Sequence, residues 1–160
     1  MAPPTADEPV RFISNRALWP LLSNFAPTPI VWDGRVWPTL EHAYQAAKTA
    51  DFQQQEYIRA APTPAYAKKL GRKVPQRVGW AVGKLELMED LLCIKFAPGT
   101  PAAEMLLATG TRPIEEDAKW DDFFGTGRDG RGLNWMGRLL MDVRGELAQG
   151  LANAQRGTAD

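Results

Sequence analysis

The chain has 160 residues, 44% of them apolar, and 19 Lys and Arg balance 19 Asp and Glu to a formal net charge of zero. That length suits one domain, the composition supports a packed core and excludes disorder throughout, and the neutral balance advertises no extended grip on a nucleic-acid backbone. A single cysteine, Cys93, and a single histidine, His42, exclude an intrachain disulfide and a Cys/His zinc cluster; no metal and no cofactor is expected.

Residues 1–9 and 149–160 read as flexible tails around one domain over 10–148. The N-terminus carries no basic and apolar leader, and no stretch approaches the roughly 18 apolar residues that span a bilayer. The expectation is a cytoplasmic protein that engages no membrane. Val10 to Ile13 is a short strand candidate. Ile30-Val31-Trp32 and Arg35-Val36-Trp37 flank Asp33-Gly34, a hairpin signal because both central turn residues must take positive φ. Pro38-Thr39 opens a helix to about Ala50, with Thr39 as N-cap and Glu41 in the first turn. Further helices are expected over 51–60 and from Thr63-Pro64 to Gly71. From Trp80, the spacing Val82, Leu85, Met88, Leu92, widened by Leu87, Leu91 and Ile94, predicts the central core helix, with Cys93 as a buried thiol. A short helix over 101–108, an extended piece over 112–116 and a Gly-rich loop over 117–133 follow. Asn134 then caps a last helix whose buried stripe is Met136, Leu139, Leu140, Val143 and Leu147.

Three features could carry chemistry. In the first helix Glu41, Tyr44, Gln45 and Lys48 share a stripe opposite Ala43, Ala46, Ala47 and Ala50; the polar stripe lies either in solvent or along a cleft. His42 sits off it, as a packing or capping residue. Between Ile114 and Gly127, five acids and three aromatics stand beside glycines, a conflict between loop-like polarity and aromatics that want burial. Either a site or a loop stapled to the core by Trp120, Phe123 and Phe124 accounts for it. Gly125-Thr126-Gly127-Arg128-Asp129-Gly130 matches the dinucleotide fingerprint formally, but it follows no apolar strand of a βαβ unit, so a Rossmann site is rejected. Arg128 and Arg131 ahead of the last helix could still hold a phosphate. The six tryptophans are many for this length; core packing and hairpin pairing account for most of them, and one or two facing a cleft would stack a flat base.

Leu22-Ser23-Asn24-Phe25, the hairpin Gly34, and the run from Trp37 to Lys48 resemble the N-terminal signature of the NADAR, or YbiA-like, family. Thr63-Pro64 with Ala67 and Gly71-Arg72, then Trp80, Lys95-Phe96 and Leu106 to Thr109 are similar to the family's later motifs. So are Glu116 with Asp121, Phe124-Gly125-x-Gly127, Gly132-x-Asn134-x-x-Gly137 and Leu140-Met141-x-Val143-Arg144. The resemblance implies an α+β, mainly helical, YbiA-like single domain with a small β-hairpin or sheet packed on a helical core. It implies an N-glycosidase that cleaves a ribose C1–N bond, in phosphorylated riboflavin-pathway intermediates or in an ADP-ribosylated guanine of nucleic acid. It places Lys48, Glu41, Glu116 and Asp121 in catalysis and Asn24, Gln45, Trp80, Phe124, Gly125 and Asn134 in substrate binding. Phe124 stands where the family has tryptophan, which keeps a stacking face and loses the indole donor. With the shared face of Glu41 and Lys48, the resemblance suggests a Schiff base between Lys48 and C1, for which the lysine must be unprotonated. Outside this class the alternatives are a non-catalytic module binding NAD or ADP-ribose, and a protein–protein interaction domain.

Overall fold

A computed structural model of the chain describes residues 5–14 and 18–158. Two compact units divide it, one of residues 24–95 and one of the flanking residues up to 23 and from 96.

After β1 (Val10–Phe12) in the chain, β2 (Ile30–Trp32) and β3 (Arg35–Trp37) of the 24–95 unit form the expected hairpin, with Ile30 opposite Trp37 and Trp32 opposite Arg35. Asp33 and Gly34 take φ of 52° and 71°, the left-handed pair of a tight hairpin turn. Ile30 and Trp37 are buried while Val31 and Val36 face out, and the Trp37 indole donates to the Trp32 carbonyl at 2.9 Å. The helices are α1 (Leu40–Ala47), α2 (Phe52–Arg59), α3 (Pro64–Gly71) and α4 (Trp80–Lys95). Thr39, Asp51 and Thr63 cap the first three, each side chain accepting a backbone N–H of the first turn. His42 is a satisfied core residue: Nδ1 lies 2.8 Å from Thr39 Oγ1 and Nε2 3.0 Å from the Ala61 carbonyl.

The central helix is α1 and not α4. All eight residues of α1 are buried, and the hairpin, α2, α3 and α4 pack against it or its neighbours. The alanine face admits close approach on one side, and the polar stripe is enclosed as well. In α4 only Trp80, Met88, Leu91, Leu92 and Lys95 are buried; Val82 is 89% exposed. The inward stripe starts at Trp80 and returns at 88, 91 and 95. Residues 82 and 93 lie three turns apart on the opposite side, so Cys93, expected in the core, is exposed.

In the other unit, β1 (Val10–Phe12) pairs in parallel with β4 (Ile114–Glu116), Val10 opposite Ile114 and Phe12 opposite Glu116. A short turn of helix follows at Pro20–Leu22, and α5 (Pro101–Ala108) is capped by Thr100. The last helix, α6 (Trp135–Gly157), buries Met136, Leu139, Leu140, Val143 and Leu147, as its stripe requires. Instead of an aperiodic end from about 150, it continues, exposed, to Gly157; residues 1–4 and 159–160 of the expected tails lie outside the described residues. Asn134 occupies the cap position without capping. Its backbone is left-handed at φ 51°, and its side chain turns to β4, donating to the Ile114 carbonyl at 2.9 Å and accepting the Glu116 N–H at 3.0 Å. A carboxamide thus takes the place of a neighbouring strand's peptide group. Gly137 permits this: a Cβ there would overlap the Ile114 carbonyl and the Asn134 amide. No helix among the described residues is long and apolar enough to cross a membrane.

Candidate active site

Glu41 stands in the first turn of α1, where the exposed N–H groups of the helix favour negative charge, and its own N–H donates to the Asn24 carbonyl at 3.2 Å. The Asn24 side chain is buried too, with Nδ2 3.7 Å from Met88 Sδ. One turn on, Gln45 Nε2 donates to Glu41 Oε1 at 2.6 Å, which fixes the carboxylate's orientation. Gln45 Oε1 is buried against Gly71 at the end of α3, in space that a Cβ on residue 71 would fill. Glycine there is what lets α3 close on α1.

Lys48 closes α1 as its C-cap, half-buried, with Nζ 5.7 Å from the centre of the Tyr44 ring. The Tyr44 ring leans on Trp80 at 5.3 Å, so Trp80 of α4 is brought to the same stripe, nearly buried. Burial holds the Lys48 amine below the ordinary lysine range; Glu41 opposes that shift, and the cations Lys68, Arg72 and Lys84 add to it. Of the sequence-predicted residues, Asn24, Glu41, Gln45, Lys48 and Trp80 therefore come together within this unit. The side chains of Lys68, Arg72 and Lys84 had no signal in the spacing, because they come from α3 and α4 and no periodicity ties those helices to α1. The stripe thus holds an enclosed carboxylate and, two turns on, a half-buried amine whose proton affinity burial lowers, groups whose chemistry could carry a proton or add to an electrophilic carbon.

The other predicted residues gather in the 5–23 and 96–158 unit. Glu116 ends β4, half-buried, its N–H on Asn134 and its carbonyl accepting Thr126 N–H at 2.9 Å. Asp121 Oδ1 accepts the N–H groups of both Phe123 and Phe124 at 2.9 Å, a side-chain turn that shapes its own loop. Phe123 and Phe124 meet edge to face at 4.8 Å, whereas Trp120 is 67% exposed and staples nothing. Gly125 is buried against Ala118, and its carbonyl accepts the Asn134 N–H at 3.0 Å. Asp121, Gly125 and Asn134 thus hold the loop's shape. The Gly125–Gly130 run opens no helix, in keeping with the rejected dinucleotide site. No group of three His, Cys, Asp or Glu suited to a metal occurs among the described residues.

The model of the NADAR domain family matches residues 5–148. The chain is similar to N-glycosidase YbiA of Escherichia coli K12, 37% identical over 144 residues, covering 89% of this chain and 90% of that protein. It is 36% identical over 130 residues to an N-glycosidase of Nostoc punctiforme, covering 78% of this chain and 83% of that one. A riboflavin biosynthesis protein of Vibrio vulnificus is 39% identical over 145 residues, 89% of this chain, although the chain spans 40% of that protein's length. Among solved structures, the NMR structure of E. coli YbiA superposes with a TM-score of 0.82 at 36% identity, covering 91% of this chain and 88% of that one.

Proposed function

The chain belongs to the NADAR family, and on that premise we propose that it is an N-glycosidase, a hydrolase acting on N-glycosyl bonds, whose target is the ribose C1–N bond of a ribosylated substrate. The observation that carries the reading is Lys48, a half-buried amine outside every ion pair of the described residues, on one helix with the enclosed Glu41. The substrate is a phosphorylated riboflavin-pathway intermediate, ahead of an ADP-ribosylated guanine in nucleic acid; the support for that order is that the Vibrio relative is named a riboflavin biosynthesis protein.

In the proposed chemistry the ribose ring opens and Lys48 Nζ adds to C1. The C1–N bond to the base breaks, the base leaves with a proton, and C1 becomes a protonated imine on Nζ. Water adds to that imine, C1–Nζ breaks, and the sugar leaves with the lysine restored. Glu41, two turns away on the stripe, moves the protons through the substrate and not as a tight ion pair that would keep the lysine charged. Trp80 stacks the base; for that role the family resemblance is the support.

The test is incubation of the wild type and of Glu41→Gln and Lys48→Ala variants with NAD, ADP-ribose, phosphorylated riboflavin-pathway intermediates and guanine-ADP-ribosylated DNA. Release of base is followed by chromatography with mass detection. Cleavage of one substrate by the wild type, lost in Lys48→Ala, is expected, with a borohydride-reduced sugar adduct on Lys48. Turnover kept by Lys48→Ala sinks the imine, and saturable binding of a nucleotide without cleavage would make the chain a binding module.

A further inference from the structure

The carbonyls of a helix's last turn find no partner within the helix. At the end of α1 the chain first tightens: the Lys48 N–H donates to the Gln45 carbonyl at 3.3 Å and the Thr49 N–H to the Ala46 carbonyl at 3.2 Å, each three residues back. The carbonyls of Lys48 and Thr49 are then met from elsewhere in the unit, and Arg77 meets both. Its backbone N–H donates to the Lys48 carbonyl at 2.6 Å, and its Nη2 donates to the Thr49 carbonyl at 2.8 Å. Thr49 is buried, and the same carbonyl accepts Gln55 Nε2 of α2 at 2.8 Å. The Arg77 carbonyl in turn accepts the N–H of Trp80, the first residue of α4, at 3.2 Å. One peptide thus links the backbone of Lys48 to that of Trp80. Their side chains are linked as well, through the Tyr44 ring, whose centre lies 5.7 Å from Lys48 Nζ and 5.3 Å from the Trp80 ring. Lys48, Tyr44, Trp80 and Arg77 therefore close a ring of contacts.

The connection from α3 to α4 runs over the surface: residues 75–79 are exposed, and 75–77 have no regular structure. Its hold on α1 is made at Arg77, by a cation at the C-terminal end of a helix, where the dipole favours positive charge. The amine of a lysine rides on a flexible four-carbon stem, so its place depends on how firmly its backbone and the ring beside it are held. We infer that Arg77 is a positioning residue of the candidate site: by holding the end of α1 to the start of α4, it keeps the Lys48 amine in place on the Tyr44 ring that Trp80 backs. The inference rests on the N-glycosidase reading, in which Lys48 adds to C1.

Imine trapping on the full chain tests this, with ribose 5-phosphate as the probe and cyanoborohydride as the reductant. Lys48 Nζ adds to the C1 aldehyde of the open sugar, water leaves, and hydride from cyanoborohydride turns the protonated imine into a secondary amine, which peptide mass mapping finds on Lys48. A misplacement of about 1 Å costs about 10²-fold in rate, and loss of the guanidinium with the backbone bonds kept should cost less, about tenfold in Arg77→Ala. The Kd for ribose 5-phosphate, measured by calorimetry, stays unchanged in that variant. Arg77→Lys, which returns a donor to the Thr49 carbonyl, recovers most of the rate. Gln55→Leu removes the other donor to that carbonyl; it lowers the melting temperature and leaves the trapping rate as in the wild type. Arg77→Met, which keeps the aliphatic stem without the donor, replaces the alanine variant if thermal melting shows that variant to have lost its fold. A trapping rate undiminished in the folded variant, a loss matched by Gln55→Leu, a loss that only follows weaker binding, or an Arg77→Lys variant no faster than Arg77→Ala overturns the positioning role and leaves the imine standing. No adduct on Lys48 of the wild type overturns the imine, and the positioning role with it.

Discussion

At the scale of single residues, the proposed imine requires Lys48 to be neutral at a pH where an ordinary lysine is charged. Burial lowers the Lys48 amine, Glu41 pulls it back up, and Lys68, Arg72 and Lys84 press it down again. Activity should therefore rise with pH as Lys48 loses its proton. Lys68→Ala or Arg72→Ala removes a repelling charge, which favours the protonated amine, so the rise in kcat should move to higher pH; a pH profile of each variant checks this. Glu41→Gln should lower kcat by about 10²–10⁴-fold, the range for a proton-transfer group, with the fold intact by circular dichroism. Gly71→Ala drives a methyl into the buried Gln45 amide and should cost about 1–3 kcal/mol in denaturant unfolding. The stripe of Glu41, Gln45 and Lys48 was legible in the sequence because helical spacing alone puts them on one face. What faces that stripe was not legible, since solvent and enclosure leave the same spacing. Cys93 was misplaced for the same reason: an apolar run along a helix says little about which side turns inward.

Among the elements, the helix starts could be read ahead because capping is local chemistry: Thr39, Asp51, Thr63 and Thr100 each sit just before their helix and accept its N–H groups. Asn134 has the right residue type at the right place and does something else, because β4 offers its carboxamide two better-placed partners 18 and 20 residues back in the chain. Asn134→Ala should lose about 1–3 kcal/mol from those bonds and a further penalty of about 1 kcal/mol for an alanine in left-handed backbone. Asn134→Gly loses the bonds but not the backbone conformation, so the difference between the two melts isolates the strain. Hairpin and α2 are joined by Arg35, which reaches Glu56 at 2.9 Å and Gln55 at 2.6 Å, with Arg59 closing on Glu56 at 2.7 Å. The bonds from Arg59 and Arg35 hold the Glu56 carboxyl down at about 2. Its folded pKa lies below its unfolded value, so its contribution to stability is present above the usual carboxylate range and fades as pH falls from about 4.5 toward 2. Glu56→Gln should flatten that part of the stability profile, measured by urea unfolding between those limits.

Across the whole molecule, the two strand pairs ask very different things of the chain. The hairpin joins neighbours, while β1 meets β4 only through partners such as Arg11 and Glu115, 104 residues apart. Closing so long a loop is entropically costly until other contacts have shortened it. After dilution from denaturant, the backbone amides of α1 should gain protection from hydrogen exchange before those of Val10 and Asp117, whose N–H groups bond Pro113 and Phe12 across the strand pair. Sequence patterning could suggest both as short extended pieces, but their parallel pairing has no turn or spacing to signal it. The same arrangement sets an order of events on the ribosome. Residues 24–95 form one unbroken stretch and leave the exit tunnel as a complete unit, whereas Val10 to Phe12, made first, must wait for Ile114 to Glu116 to emerge. The first strand made is thus among the last to find its place, and until then its apolar edge is the part of a nascent chain that a chaperone would meet.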